Sequence, residues 1–392
     1  MSIKEIHRRL RAIRKREWQR IATRPIYAFG IFFAPMITAV VMLSLMNCGL
    51  PTNLPAGIVD LDNSATTRTL VRELNSFQQT DIVMQTMSFT EARKALQEGK
   101  IYGFFYIPEG FTADATAGRQ PKISFYTTGA FMIGGSLLFK DMETVSVLAG
   151  KAVSLQTGLA YGQTEAAIMA HIQPIVIHTH GLGNPWLNYS VYLNNCFLPG
   201  MMQLLIFMMT VYSIGIEIKE GTSRQWLSRG GNSLTISLLG KLVPQTLLWC
   251  VTGFFMLSSL YGWGHFPLQS GFWPMALAMF LLIIASQAVG VFMISILPTL
   301  RMGLSFASLF GMLSFSICGF SFPVQAMYAP IHALAYLFPM RHYFQIYIAQ
   351  ALNGAPLYYS WWHYVALMCF LLLPVLNARN LHRELLHFKY IP

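Results

Sequence analysis

The run PIYAFGIFFAPMITAVVMLSLMN (25–47) contains no charged residue. At about 1.5 Å of rise per residue it is long enough to cross the roughly 30 Å hydrocarbon core of a bilayer. It therefore predicts a first spanning helix, with Pro25 in its first turn and a kink at Pro35. The charged stretch ahead of it is long and no small-residue cleavage site follows, so it does not read as a removable leader. The rest of the composition agrees. Of 392 residues 54% are hydrophobic and 11% charged, against about 25% charged in a soluble domain. Much of this surface is built not to face water.

Toward the N-terminus, residues 1–24 repeat apolar side chains at steps of three and four. They are Ile3, Ile6, Leu10, Ile13 and Ile21, joined by Trp18. Cations, Arg9 and Arg16 among them, cover the other faces. The pattern predicts an amphipathic helix lying along a membrane surface; the bland alternative is a solvated helix facing an acidic partner.

Beyond the first span the character changes. From 48 to 190 apolar residues are interrupted and charges of both signs appear. AGIVDLDNS (56–64), DIVMQTM (81–87), IYGFFYIP (101–108) and PKISFYTTG (121–129) read as strands. SATTRTLVRELNSF (64–77) and SFTEARKALQEGK (88–100) read as helices, the second with a capping box from Ser88 to Glu91 and a stop at Gly99. Strand and helix alternate, so a small α/β domain is expected. Residues 130–175 read as helical, and 178–188 as a loop. Asp60 and Asp62 are placed to cap a turn.

Spanning patterns then return. A second span is expected over 191–216, a polar link over 217–232, and the third to sixth spans within 233–378. Their segments are 234–263, 272–297, 304–320 and 361–377. Residues 321–356 are apolar but broken by Pro323, Pro330, Pro339 and Pro356, which suits a re-entrant pair of short helices. Residues 379–392 form a tail. Lys241 lies near enough to a span end to snorkel.

Charge fixes an orientation. The net charge is +11. Between Cys48 and Asn195 there are nine Lys/Arg and eleven Asp/Glu, so the remainder carries +13. That surplus flanks apolar runs, where anionic lipid and the positive-inside rule account for it without nucleic acid. One side holds nine Lys/Arg in the first 24 residues, then Lys219, Arg224, Arg229, Lys241, Arg301, Arg379, Arg383 and Lys389; the short loops of the other side hold Arg341. Six spans with both termini in the cytoplasm satisfy this, and they put the 48–190 domain outside.

Chemical motifs are sparse. No GxxxxGK[ST] phosphate loop occurs, so if ATP drives this chain another subunit binds ATP and Mg. No predicted span carries Asp or Glu, which argues against proton- or sodium-coupled transport. The five cysteines show no metal spacing. Cys250, Cys318 and Cys369 fall in apolar runs and read as buried small residues. Cys48 and Cys196 stand at the two ends of the insert and read either as unrelated free thiols or as a disulfide. His178 and His180 lack a third metal ligand, and His382 and His387 sit on a basic tail. No metal or catalytic site is expected. The most informative short stretch is EIKEGTSRQWLSRGGN (217–232). It reads as a polar loop or as a short helix docking in a partner's cleft, with Trp226 and Leu227 as apolar anchors and Glu217, Arg224 and Arg229 as charged contacts.

In their order these features resemble the ABC-2 type permeases, especially the YhhJ/YbhR-like exporter subunits with a large periplasmic insert. The resemblance rests on the amphipathic start, the VDLDNS strand, EARKALQEGKIYGFFYIPEGF, Asn184-Pro185, and Pro199-Gly200. It rests also on Gly240-Lys241 with Pro244, Gly319 through Pro323, and Pro339. Glu217, Gly221, Thr222 and Gln225 match the family's coupling-helix pattern E-x-E-x-GT-x-EQL, with Leu227 one place beyond its final Leu. Lys219 and Arg224 stand where that pattern is acidic.

The resemblance implies a polytopic α-helical membrane protein of the bacterial inner membrane. Six transmembrane helices and re-entrant helices would carry an α/β extracytoplasmic domain between helices 1 and 2. It implies a permease subunit without its own ATPase, exporting a hydrophobic or amphipathic compound. Two copies of a separate ATPase would couple through Glu217, Glu220, Gly221, Thr222, Arg224, Gln225, Trp226 and Leu227, and through the N-terminal helix. A second permease would complete a homodimer or paralogous heterodimer, and a periplasmic adaptor protein with an outer-membrane channel would dock on the insert. The competing class is a membrane-anchored receptor or scaffold presenting the 48–190 domain.

Overall fold

The computed structural model describes residues 2–117, 119–173 and 180–387. Among these it is mostly helical, and six helices are long and apolar enough to cross a membrane. Two compact units are formed, one by residues 48–180 and one by 1–47 with 181–392.

In chain order, α1 (Ile3–Thr23) is followed by α2 (Pro25–Leu45). Pro25 opens α2 where its missing N–H costs nothing. Ahead of Pro35 the helix widens into a π turn over Phe29–Phe33, with Ala34 N–H bonded to Phe29 O. That widening takes up the misfit expected as a kink. Phe29, Phe33, Ile37, Val40 and Leu45 stay exposed, as befits a face turned to lipid or to another spanning chain.

The insert contains β1 (Leu54–Asp60), α3 (Ala65–Asn75), β2 (Thr80–Thr86), α4 (Phe89–Gln97), β3 (Gly103–Ile107), α5 (Phe111–Thr116), β4 (Ser124–Thr127), α6 (Met132–Ala160) and α7 (Glu165–Ile172). The sheet order is β2-β1-β3-β4. β1 runs parallel to β2 and β3, while β4 is antiparallel to β3. One face buries Ile58, Leu74, Phe105 and Leu138; the other buries Val59, Ala92 and Phe104. All four expected strands are present.

Asp60 caps its turn as expected, whereas Asp62 reaches Thr112 at the start of α5. Asp60 Oδ1 accepts from the Asp62 and Asn63 N–H groups, and Asp62 Oδ2 accepts from Thr112 Oγ1 at 2.6 Å. The capping box predicted at Ser88 is only half made: Ser88 Oγ accepts from Glu91 N–H, but the Glu91 carboxylate turns to Thr86 Oγ1 instead. A reciprocal box forms at Ser64 and Thr67.

The second unit continues with α8 (Tyr189–Lys219), α9 (Ser223–Arg229), α10 (Leu234–Trp263), α11 (Phe272–Ile296), α12 (Leu300–Ile317), α13 (Ala329–Ala335), α14 (Pro339–Ile346), α15 (Leu357–Leu376) and α16 (Ala378–His387). Helices α8, α10, α11, α12 and α15 are the remaining spanning candidates. Residues 321–356 do form short pieces, with Pro330 and Pro339 each in a first turn.

Four expectations change here, and one open alternative closes. The second span does not stop at 216; α8 continues through Lys219, so the link begins at Glu220 and contains the seven-residue α9. Arg341 lies not in an outer loop but buried in α14, its Nη1 donating to Cys318 O at 3.1 Å. Cys369 is exposed and Cys250 half-buried, not buried as read. Cys48 and Cys196 are both free: Cys48 is exposed, while Cys196 is buried with its sulfur 3.8 Å from that of Cys318. The tail is also more than a tail, since α16 buries Leu381 and Leu385.

Candidate functional site

The site is the end of the second unit where α1, α8, α9, α10 and α16 meet. It begins with the turn that closes α8. Gly221 takes φ +67°, a conformation costly for any residue with a Cβ. Its N–H bonds Ile218 O at 3.2 Å, and the Thr222 N–H bonds Glu217 O at 2.9 Å. This pair is a Schellman motif, which satisfies the last carbonyls of α8 and reverses the chain into α9. A Cβ on Gly221 would meet nothing within 4 Å, so its backbone conformation is what needs glycine.

The last turn of α8 carries Glu217, which is completely buried. Its Oε1 accepts from Arg16 Nη1 at 2.8 Å, from Lys241 Nζ at 2.9 Å and from Arg20 Nη1. Its Oε2 accepts from Arg16 Nη2 at 2.8 Å and from Thr222 Oγ1. Glu17, also fully buried, accepts from the same Lys241 Nζ at 2.9 Å and from Arg16 Nη1 at 3.2 Å. Glu220 takes Arg20 at 2.9 Å and Arg24 at 2.8 Å. The Glu220 hydrogen bond raises the Arg24 pKa above its ordinary value against the pull of burial. For Arg16 burial lowers the pKa, and the bond and charge of Glu217 outweigh it.

One cluster thus ties α1, the end of α8 and the start of α10 together. Breaking one partner of such a buried group strands the others and costs about 3–5 kcal/mol. Lys241 does not snorkel as expected. It is fully buried because two carboxylates meet it, and its ammonium lies 4.9 Å from the Trp226 ring centroid. Gly240 explains how α1 comes this near: a Cβ there would lie 2.8 Å from Ile13 Cβ.

α9 divides into two faces. Ser223, Trp226 and Leu227 are buried, and Trp226 and Leu227 join a core with Ile13, Leu381 and Leu385. Gly221, Arg224, Gln225, Ser228 and Arg229 are exposed. α16 braces the inner face: Ser223 Oγ donates to Leu385 O at 2.7 Å and Arg224 Nε to Leu386 O at 2.6 Å. A cation at a helix C-terminus is also favoured by the helix dipole.

These positions correct the contact assignments. Trp226, Leu227 and Glu217 do not face outward to a partner; their bonds and packing are spent inside this chain. Arg16 and Arg9 are likewise engaged, Arg16 with Glu217 and Arg9 with Glu5 at 2.6 Å. The outward-facing part of α1 is instead the helix face bearing Arg11, Arg14, Lys15, Trp18 and Gln19. Glu17, Arg20, Arg24, Lys241 and Leu385 were not singled out from sequence as partners in one site. A usable signal existed for Glu17, one of only five carboxylate residues outside 48–195.

Among the described residues no group of three or more His, Cys, Asp and Glu is placed to hold a metal; His178 lies outside them. A protein-family model described as ABC-2 family transporter protein matches residues 26–378. No curated protein and no solved structure gives a match.

Proposed function

The chain belongs to the ABC-2 transporter family, and from that premise we propose that it is the permease half of an ATP-driven exporter. It would move a hydrophobic or amphipathic compound out of the cytoplasm or inner membrane. Two copies of a separate ATPase would bind ATP and Mg, and a second permease would complete the pathway. Both termini lie in the cytoplasm in this reading, and the insert lies outside, where an adaptor protein linked to an outer-membrane channel docks.

The observation that carries the reading is the ion cluster. A force applied at α9 reaches α1, α8 and α10 as one body, because Glu217 and Lys241 join all three. The contact with the ATPase falls on the exposed face of α9, at Gly221, Arg224, Gln225, Ser228 and Arg229. Thr222, Trp226 and Leu227 shape that face from behind, and Glu220, itself exposed, borders it. Arg224 and Arg229 make it basic, which suits an acidic cleft on the partner.

The test is to reconstitute the chain in lipid with its ATPase and measure assembly and ATP hydrolysis. Gln225→Glu with Arg229→Glu reverses the charge of the exposed face without touching the cluster. We expect assembly or stimulated hydrolysis to fall at least tenfold. Unchanged assembly and hydrolysis would remove α9 from the contact. Labelling of a cysteine at Ser228 from the outside only would overturn the orientation.

A further inference from the structure

Cys196 and Cys318 have no part in the coupling site, yet they meet. Cys196 is on α8 and Cys318 directly follows α12. Both are fully buried, with sulfurs 3.8 Å apart. Of the other cysteines, Cys48 and Cys369 are exposed and Cys250 is half-buried.

The pair belongs to a seam that is already closed along its length. Gln203 Nε2 donates to Ser314 Oγ at 2.7 Å, and Tyr192 Oη donates to Phe320 O at 2.6 Å. Small residues let the two backbones approach: a Cβ on Gly311 would stand 2.5 Å from Leu204 Cδ1, and one on Gly303 2.9 Å from Val211 Cγ1. The cysteines lie between the Gln203 and Tyr192 bonds, toward the end of the seam where α8 begins.

We propose that Cys196 and Cys318 are a redox pair that closes an intramolecular disulfide across this seam. The sulfurs must close from 3.8 Å to about 2.05 Å. Bonds on both sides of the pair already hold the two segments together, so the remaining closure is short. The natural oxidant is the disulfide of a thiol oxidoreductase on the outer face, where bacterial compartments are oxidising; that sidedness rests on the proposed orientation.

The Cys318 thiolate attacks one oxidant sulfur and releases the other as a thiolate. Cys196 then attacks the Cys318 sulfur of the mixed disulfide and releases the second. Two protons leave the cysteines, and two electrons reduce the oxidant to its dithiol. Cys318 is assigned the first attack because the chain just beyond it, Ser321 to Pro323, is exposed; its own thiol is buried, so the oxidant reaches it only when that segment opens.

The test uses the full chain in lipid vesicles. One sample is oxidised with diamide, an azo compound that takes up both hydrogens, and the other is kept in dithiothreitol. Each is unfolded, capped with N-ethylmaleimide, digested and examined by mass spectrometry. Linked Cys196 and Cys318 peptides are expected only after oxidation. Thermal unfolding of the oxidised chain should rise by about 5 °C, since a crosslink over a long loop constrains the unfolded chain. Cys318→Ser and Cys196→Ser should each abolish the rise, and Cys250→Ser should keep it.

Free, capped Cys196 and Cys318 after oxidation would overturn the pairing, as would Cys196 linked to Cys48. A bond with no thermal shift would overturn the stabilising role. If an impermeant disulfide closes the bond only from the face bearing α1, the pairing stands and the proposed sidedness falls.

Discussion

The insert and the membrane unit use charge in opposite ways. Between Cys48 and Asn195 the chain carries twenty charged residues, and the insert's ion pairs are exposed: Lys100 with Glu98 at 2.7 Å, Arg119 with Asp114 at 2.7 Å. Such pairs are screened by water and hold little structure. Outside that stretch there are only five carboxylate residues. Three of them, Glu17, Glu217 and Glu220, gather in one cluster with Arg16, Arg20, Arg24 and Lys241. Outside the insert it is carboxylates that are scarce, and most of the few present fix how helices join. Where water is plentiful, charges are many and mostly keep the domain soluble.

The contrast can be broken most directly at its strongest point. Glu217→Ala leaves Arg16, Arg20 and Lys241 short of a carboxylate and should cost about 3–5 kcal/mol. In detergent this should appear as a lower unfolding midpoint or loss of monodisperse protein, with Glu98→Ala in the insert unchanged. If the two substitutions behave alike, the contrast is false. Next, Leu385→Ala removes a buried side chain behind α9 and should cost about 2–4 kcal/mol, read by thermal unfolding; a neutral result would mean that α16 does not brace the site.

Gly221→Ala should cost about 1 kcal/mol through its positive φ alone. It should leave the ion cluster intact, so Gly221→Asn, which tolerates that conformation better, should recover part of the loss.

The smallest effect is in the insert. Burial raises the Asp141 pKa, and the Thr80 hydroxyl bonded to its Oδ2 at 2.8 Å offsets part of that. An acid with a raised folded pKa binds its proton more tightly in the folded state. Its favourable contribution is therefore complete at low pH, and it is lost as pH rises from the ordinary carboxylate value through the folded one. Asp141→Asn should flatten the fall in insert stability as pH rises above the ordinary carboxylate range, followed by unfolding of the insert within the full chain. An unchanged pH slope would remove Asp141 from the account.

Much of this molecule is legible in its sequence because the deciding signals are local. Uncharged runs of spanning length mark the helices, and alternation marks the strands. The cluster was not legible for a physical reason. Glu17, Glu217 and Lys241 are far apart in the chain, and each taken alone looks like an ordinary polar residue at a helix end. Reading 217–219 as loop followed from their polarity, yet three cations make a buried carboxylate acceptable there and let α8 run on. Trp226 and Leu227 misled in the other direction. Apolar side chains in a polar link suggested an anchor in a partner, while their real neighbours come from α1 and α16. The Leu381 and Leu385 spacing of four was a visible cue to a docked helix rather than a loose tail.

The close approach of Ile13 to Gly240 bears on how this protein can be rebuilt. Arg16, Glu17, Arg20 and Arg24 all precede residue 26, where the family match begins, yet they complete a cluster whose other half lies within the match. The first 24 residues are therefore not a detachable module. A chimaera that grafts a foreign amphipathic anchor onto α2 would leave Glu217 and Lys241 with only each other unless it also brought a carboxylate and two guanidiniums at the right turns. It would further need a side chain at position 13 shaped to lie against a bare backbone. Domain-swap libraries in this family should place their crossover inside α2, after the cluster has closed, rather than at the charged-to-apolar boundary that looks natural in the sequence.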